Sequence, residues 1–388
     1  MTRRIAVVTT TRADFGIYRP LLKRLADESR LALQLIAGGM HLRPEFGMTI
    51  DEIVEAGFAV AARVDLLTGD DTPAGIAEAM SRATRGFADA YAALSPDIVV
   101  ILGDRFEMHA AAVAAQPLRI PLAHLHGGEL TLGAIDDSFR HSMTKLSHLH
   151  FVATETFRRR VLQMGEEPWR VVVSGALGLD NLIDTPTLDA AALEDRIGLP
   201  LTPPPLLVTF HPETRDAAPA GEQVAPMLRA LHEAALPVVF TAPNADTGGR
   251  EIRRLIEDYV SAHPAARLVE NLGTPAYFAL MGKAAAMVGN SSSGIIEAAS
   301  FALPVVDIGD RQQGRPRAAN VIDVTRTAEA ILAAIRRATS RAFRDGLAGL
   351  RNPYAAERPA AEIIHHTLAE VGLGDALLKK GFVDLAPG

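Results

Sequence analysis

The stretch AAMVGNSSSGIIEAASFALPVVDIGDR, Ala285–Arg311, decides the fold. A short apolar run enters GNSSSG, a helix-like run leaves it, and a second apolar run, PVVDIGD (304–310), follows. Two buried-strand patterns joined by a helical pattern make a βαβ unit, whose strands must be parallel. The turn places three serines and two glycines where backbone N–H groups are left without partners, which is the chemistry that receives an anion.

Working outward, the same alternation fills the chain. IAVVT (5–9), LALQLIAGG (31–39), DIVVILGD (97–104), PLAHLHGG (121–128) and HLHFVAT (148–154) read as buried parallel strands. Phe15, Tyr18, Leu21, Leu22 and Leu25 share one face of an intervening helix. The second half repeats the scheme, with strands at 206–213, 237–244, 267–273, 285–291 and 304–310 and helices at 248–261 and 326–338. The expected fold class is α/β, two Rossmann-like doubly wound domains facing a cleft. ILGDR (101–105) and DIGDR (307–311) echo one another across the two halves.

Composition narrows the function. With 388 residues and 48% hydrophobic content, the chain can build two cores. A net charge of −7 argues against a nucleic-acid partner. No apolar run reaches the ~18 residues of a membrane span. The absence of cysteine fits a reducing cytoplasm, and the short apolar run after the N-terminal basic residues is not a signal peptide.

Polar residues at the carboxyl ends of strands are the candidates, because that edge of such sheets takes the ligand. TTTRADFG supplies Arg12 beside Asp14, either an anion contact or a helix cap. LGDRFE supplies Asp104, Arg105 and Glu107, and HLHGGE supplies His124, His126 and Glu129. The two imidazoles, two apart on a strand, are expected on one face. Zinc is weighed and set aside, since no separate third ligand cluster accompanies them. AIDDSFRHSMTK adds Asp136, Asp137, Arg140 and His141, and TFHPET adds His211. GNSSSG lacks the lysine of a Walker A loop and the spacing of a dinucleotide turn. Its Ser291, Ser292 and Ser293, with the helix dipole, suit a diphosphate; Glu297 suits ribose hydroxyls, and Arg311 and Arg315 follow from the next strand.

With these residues in place, the chain resembles the UDP-N-acetylglucosamine 2-epimerase family, and within it the hydrolysing branch of the sialic and legionaminic acid routes. The resemblance is carried by TTTRADFG, GMHL (39–42), LGDRFE, HLHGGE, IDDSFRHSMTKLSHLHF, TFHPET, PNADTG (243–248), GNSSSGIIE and IGDRQQGR, in order over nearly the whole length. It implies a glycosyltransferase-B-like fold, with residues 1–176 and a returning C-terminal helix at 357–388 forming one domain and 177–356 the other. It implies a UDP-sugar as partner, a homodimer or homotetramer, and no cofactor. In the implied reaction the C2 proton is removed as UDP leaves C1, and the glycal is hydrated with a proton returning to the opposite face. UDP-GlcNAc giving ManNAc is the default, with the 2,4-diacetamido-2,4,6-trideoxy sugar or a non-hydrolysing epimerase as alternatives. A retaining glycosyltransferase on the same fold is a further rival. Carried over residue by residue, Asp104 and Asp136 match catalytic carboxylates and His211 the second-domain histidine. Arg12, Ser291, Ser292, Glu297 and Arg315 match nucleotide contacts, and Arg105, His41, Asn244 and Asp246 are further carry-overs. Many relatives have Glu at the position of His126, so either His126 or Glu129 takes that proton-transfer role.

Overall fold

Residues Ile98–Leu102 are apolar at every position, which suits only a strand covered on both faces. The computed structural model, which describes residues 2–70, 72–132, 134–184, 188–213, 216–242, 248–270 and 272–384, places it at the centre of a seven-stranded sheet. The strands are β1 (Arg3–Thr9), β2 (Leu31–Gly38), β3 (Val60–Val64), β4 (Ile98–Leu102), β5 (Leu122–Leu125), β6 (Leu149–Val152) and β7 (Val171–Val173). They run parallel in the order β3-β2-β1-β4-β5-β6-β7. Alternate residues feed opposite cores. Ile5, Val7, Ile98 and Val100 join one cluster, and Ala6, Val8, Val99 and Ile101 join the other.

A second sheet contains β8 (Leu206–Thr209), β9 (Val238–Thr241), β10 (Ala266–Val269), β11 (Ala286–Gly289), β12 (Val305–Ile308) and β13 (Val321–Val324). Its order is β10-β9-β8-β11-β12-β13, again all parallel. Leu206, Val208, Ala286 and Val288 pack on one side, Leu207, Met287 and Val305 on the other. In both sheets strand order reverses beside the first strand, between β1 and β4 and between β8 and β11. Backbones diverge at such a switch point and open a crevice at the carboxyl ends.

Three differences from the sequence reading have physical causes. The echo between ILGDR and DIGDR is not a structural equivalence: β4 lies at its sheet's switch point, whereas β12 lies one strand farther out and β11 holds the corresponding place. Strands β3, β7 and β13, short, partly exposed and at sheet edges, carry no clear buried-strand signal, whereas β10, also an edge, matches the expected strand at 267–273. The helix after GNSSSG is a single turn, Ser293–Ile296, followed by a 3-10 turn at Ala298–Phe301. So short a helix has little macrodipole, and the anion argument rests on N–H groups and hydroxyls instead.

Two compact units follow from the contacts. One comprises residues 1–129, 136–184 and 354–388, the other 130–135 and 185–353. Residues 177–184 stay with the first unit because the Asp180 carboxylate accepts from the Ala360 and Ala361 N–H groups, at 3.0 and 2.6 Å. It thereby caps the returning helix Ala360–Glu370. Farther on, the buried Arg170 donates to the carbonyls of Ala376 and Leu377, both at 2.9 Å, and so fixes the C-terminal segment. Among the described residues no helix is long and apolar enough to cross a membrane.

Candidate active site

In the first unit, Thr11 caps the helix Arg12–Asp27, and its hydroxyl accepts from Asp14 N–H. The Asp14 carboxylate turns back to accept from the N–H groups of Thr10 and Thr11 and from the Thr9 hydroxyl. Asp14 is therefore a capping residue. Arg12 sits half-buried at the first helical position, next to the switch point. His41 is fully buried, with Nε2 2.9 Å from Thr9 Oγ1 and Nδ1 2.8 Å from Thr49 Oγ1. Both ring nitrogens being engaged, His41 holds this turn and presents no group to a ligand, contrary to the substrate-binding expectation.

At the end of β4, Gly103 adopts a φ of +78° and turns the chain so that Asp104 and Arg105 emerge partly exposed. Asp104 pairs with Arg140, which projects from the helix Asp136–Leu146. Arg140 Nη1 also donates to the His126 carbonyl at 2.8 Å and lies 3.9 Å from Glu129 Oε2. Burial opposes the charge on Arg140, but the carboxylates of Asp104, Glu129, Asp137 and Asp136 outweigh it and hold the guanidinium protonated. Arg140 thus gathers the partly exposed Asp104 and the buried His126 and Glu129 into one cluster. Asp136 begins the same helix, about one turn away. Arg105 instead pairs with the buried Glu107 at 2.9 Å.

The two histidines of HLH do not share a face. β5 stops at Leu125, and His126 takes a left-handed φ of +62° that breaks the alternation. His126 Nδ1 lies 2.7 Å from Glu129 Oε1. His124 turns inward, Nε2 2.8 Å from the Gly103 carbonyl, and burial drives its pKa down to about 3, so it is neutral. No group of three or more metal-ligating side chains is assembled among the described residues.

In the second unit, His211 follows β8 and Asn290 follows β11, across the switch point. Asn290 is fully buried, and its carboxamide grips both main-chain groups of His211. Its own carbonyl accepts from Gln312 Nε2 at 2.7 Å and from Arg311 Nη1 at 3.3 Å. Gly289, with φ +139°, is required here because a Cβ would overlap the Thr209 carbonyl. Ser291, Ser292 and Ser293 lie half-buried along the turn. The hydroxyl of Tyr277, raised well above its usual pKa by burial, hydrogen-bonds Ser293 and Thr209. Glu297 is buried just past the helical turn. Arg315 is largely committed to the loop 130–131, with Nε 2.7 Å from the Leu130 carbonyl and Nη2 3.3 Å from Thr131 Oγ1. Asn244 and Asp246 lie outside the described residues.

The residues that sequence reasoning missed are Asn290 and Gln312; Arg140 was noticed but given no role. Asn290 was within view, inside GNSSSG, yet an amide that clasps backbone leaves no periodic signature.

A family model described as UDP-N-acetylglucosamine 2-epimerase matches residues 23–368. The chain is 40% identical, over 99% of both chains, to the GDP/UDP-N,N'-diacetylbacillosamine 2-epimerase (hydrolyzing) of Campylobacter jejuni. It is 39% identical to the UDP-N,N'-diacetylbacillosamine 2-epimerase (hydrolyzing) of Legionella pneumophila, covering 88% of this chain and 90% of that one. It is 33% identical to the UDP-N-acetylglucosamine 2-epimerase of Neisseria meningitidis, covering 87% and 88%. Among solved structures, that of a Neisseria meningitidis UDP-GlcNAc 2-epimerase bound to UDP-GlcNAc superposes with a TM-score of 0.80 at 18% identity, covering 95% and 100%. Fold and sequence agree: the chain belongs to the UDP-N-acetylglucosamine 2-epimerase family, on the side of its hydrolysing members.

Proposed function

We propose that this protein is a hydrolysing 2-epimerase whose substrate is a UDP-2,4-diacetamido-2,4,6-trideoxy sugar, the UDP-N,N'-diacetylbacillosamine type. The observation that carries this reading is the 40% identity over 99% of both chains to a hydrolysing enzyme named for that sugar. It displaces UDP-GlcNAc, the default of the sequence reading, to second place. UDP-GlcNAc stays a second reading on the 33% identity to the Neisseria meningitidis enzyme.

The chemistry divides between the two units. A ligand carrying both a sugar and a nucleoside diphosphate needs proton transfer at C2 and charge stabilisation on the departing diphosphate. In this reading Asp104, His126 and Asp136 serve the sugar, with Arg140 holding the first two in register. In the second unit His211, Ser291, Ser292, Ser293 and Arg311 receive the diphosphate; in the first, Arg12 and Arg105 serve as anion contacts. Glu297 accepts from the ribose hydroxyls, and Arg315 acts chiefly by holding the loop at 130–131.

The test is a side-by-side assay of UDP-N,N'-diacetylbacillosamine and UDP-GlcNAc. Faster release of UDP and a free 2-epimerised sugar from the diacetamido substrate is expected. A preference for UDP-GlcNAc moves the assignment to the second reading. A 2-epimer still attached to UDP excludes the hydrolysing reaction, and product made in D₂O without deuterium at C2 excludes C2 proton transfer altogether.

A further inference from the structure

His126 is fixed at every point except one. Its φ of +62° lies where a side-chain-bearing residue is strained, and such strain persists only where neighbours impose it. Its N–H donates to the Phe151 carbonyl at 2.9 Å, and its carbonyl accepts from Arg140 Nη1 at 2.8 Å. Nδ1 is 2.7 Å from Glu129 Oε1. The remaining atom, Nε2, is buried and has no hydrogen-bond partner among the described residues. A carboxylate facing Nδ1 selects the neutral tautomer that carries its proton there, leaving a lone pair on Nε2.

Glu129 is poorly placed to do this work itself. It is 2% exposed, with one oxygen against the imidazole and the other 3.9 Å from Arg140. Among the described residues, the charged groups in contact with His126 are Glu129 on its own loop and Arg140, which in turn pairs with Asp104. His124 on β5 is held neutral by burial, so it does not compete for the proton.

We propose that His126 Nε2 is the base that takes the C2 proton, and that Glu129 is the positioning residue that sets its tautomer and stabilises the imidazolium formed. This rests on the functional reading above. As the C1–O bond breaks and UDP leaves with its electron pair, Nε2 takes the C2 proton and the C2–H pair becomes the C1=C2 bond. Water then adds hydroxyl to C1, while a different group delivers a proton to the opposite face of C2. The imidazolium returns its proton to solvent, so the net change is addition of one water and release of UDP.

The experiment uses the full chain, UDP-N,N'-diacetylbacillosamine, and the 1,2-glycal of the same sugar. His126→Gln is expected to lose 10²-fold or more in UDP release, yet to hydrate the supplied glycal within tenfold of the wild-type rate. Glu129→Gln is expected to lose about tenfold in kcat with KM little changed. Its acidic limb should move to lower pH, because the imidazolium has lost its carboxylate. UDP binding by calorimetry checks that each variant is folded; if His126→Gln is not, the Glu129→Gln pH profile carries the test. Wild-type UDP release by His126→Gln, glycal accumulation by it, or an unmoved limb in Glu129→Gln overturns the assignment while the functional reading stands. A wild-type protein that turns over neither UDP-sugar overturns the functional reading, and this assignment with it.

Discussion

Asn290 Oδ1 accepts from the His211 N–H at 2.7 Å, and Asn290 Nδ2 donates to the His211 carbonyl at 2.8 Å. One buried side chain thereby spans the switch point of the second sheet and fixes the backbone that presents the histidine.

Replacing that clasp is expected to separate position from chemistry. Asn290→Ala removes the partner of two buried main-chain groups and should cost about 2–6 kcal/mol, taking about 1–3 kcal/mol for each. Asn290→Asp keeps the acceptor, loses the donor and should fall between. Urea unfolding measures the loss, and kcat for UDP release should decline in the same order.

Gly289→Ala forces a Cβ onto the Thr209 carbonyl at the closest approach of β11 and β8. It should destabilise by more than about 4 kcal/mol or prevent folding, the range reserved for buried steric conflict. Gly57→Ala has a positive φ but open space around it, so it should cost only about 1 kcal/mol. Comparable losses at both sites would show that backbone conformation, not the strand approach, governs Gly289.

Asp104→Asn should lose ~10²-fold or more in turnover, as removal of a positioned acid or base does. Calorimetry should still detect UDP binding, because that is assigned mainly to the second unit. Undiminished turnover would remove Asp104 from the chemistry.

Glu166 gives the fold a dependence on acid. It is fully buried, with Lys145 at 2.6 Å and Lys380 at 3.0 Å on one oxygen and His150 Nε2 at 3.0 Å on the other. Burial alone would raise its pKa, but the hydrogen bonds from His150 and Lys145 outweigh that and hold it down to about 2. A pKa lowered on folding contributes stability that is complete above the ordinary carboxylate range and is lost as pH falls toward 2. The urea midpoint should therefore drop between about pH 5 and pH 2. Glu166→Gln should start lower at neutral pH and show a flatter decline over that window.

The central strands were legible because a parallel strand buried on both faces must be apolar throughout, as in Ile98–Leu102 and Leu206–Thr209. The edge strands β3, β7 and β13 were not, being short and partly exposed, although β10, also an edge, was. The candidate residues Asp104, His126, His211 and the serine turn stand just past the ends of strands, and Asp136 at a helix start, where polar residues are conspicuous against apolar runs. Their organisation could not be read that way. Arg140 gathering Asp104, His126 and Glu129, the inward turn of His124, the burial of His41 and the Asn290 clasp depend on contacts between residues far apart in the chain. Periodicity along a sequence reports which face of an element is buried. Which charge meets which, and which nitrogen is left without a partner, is settled only when separate strands and helices are packed against one another.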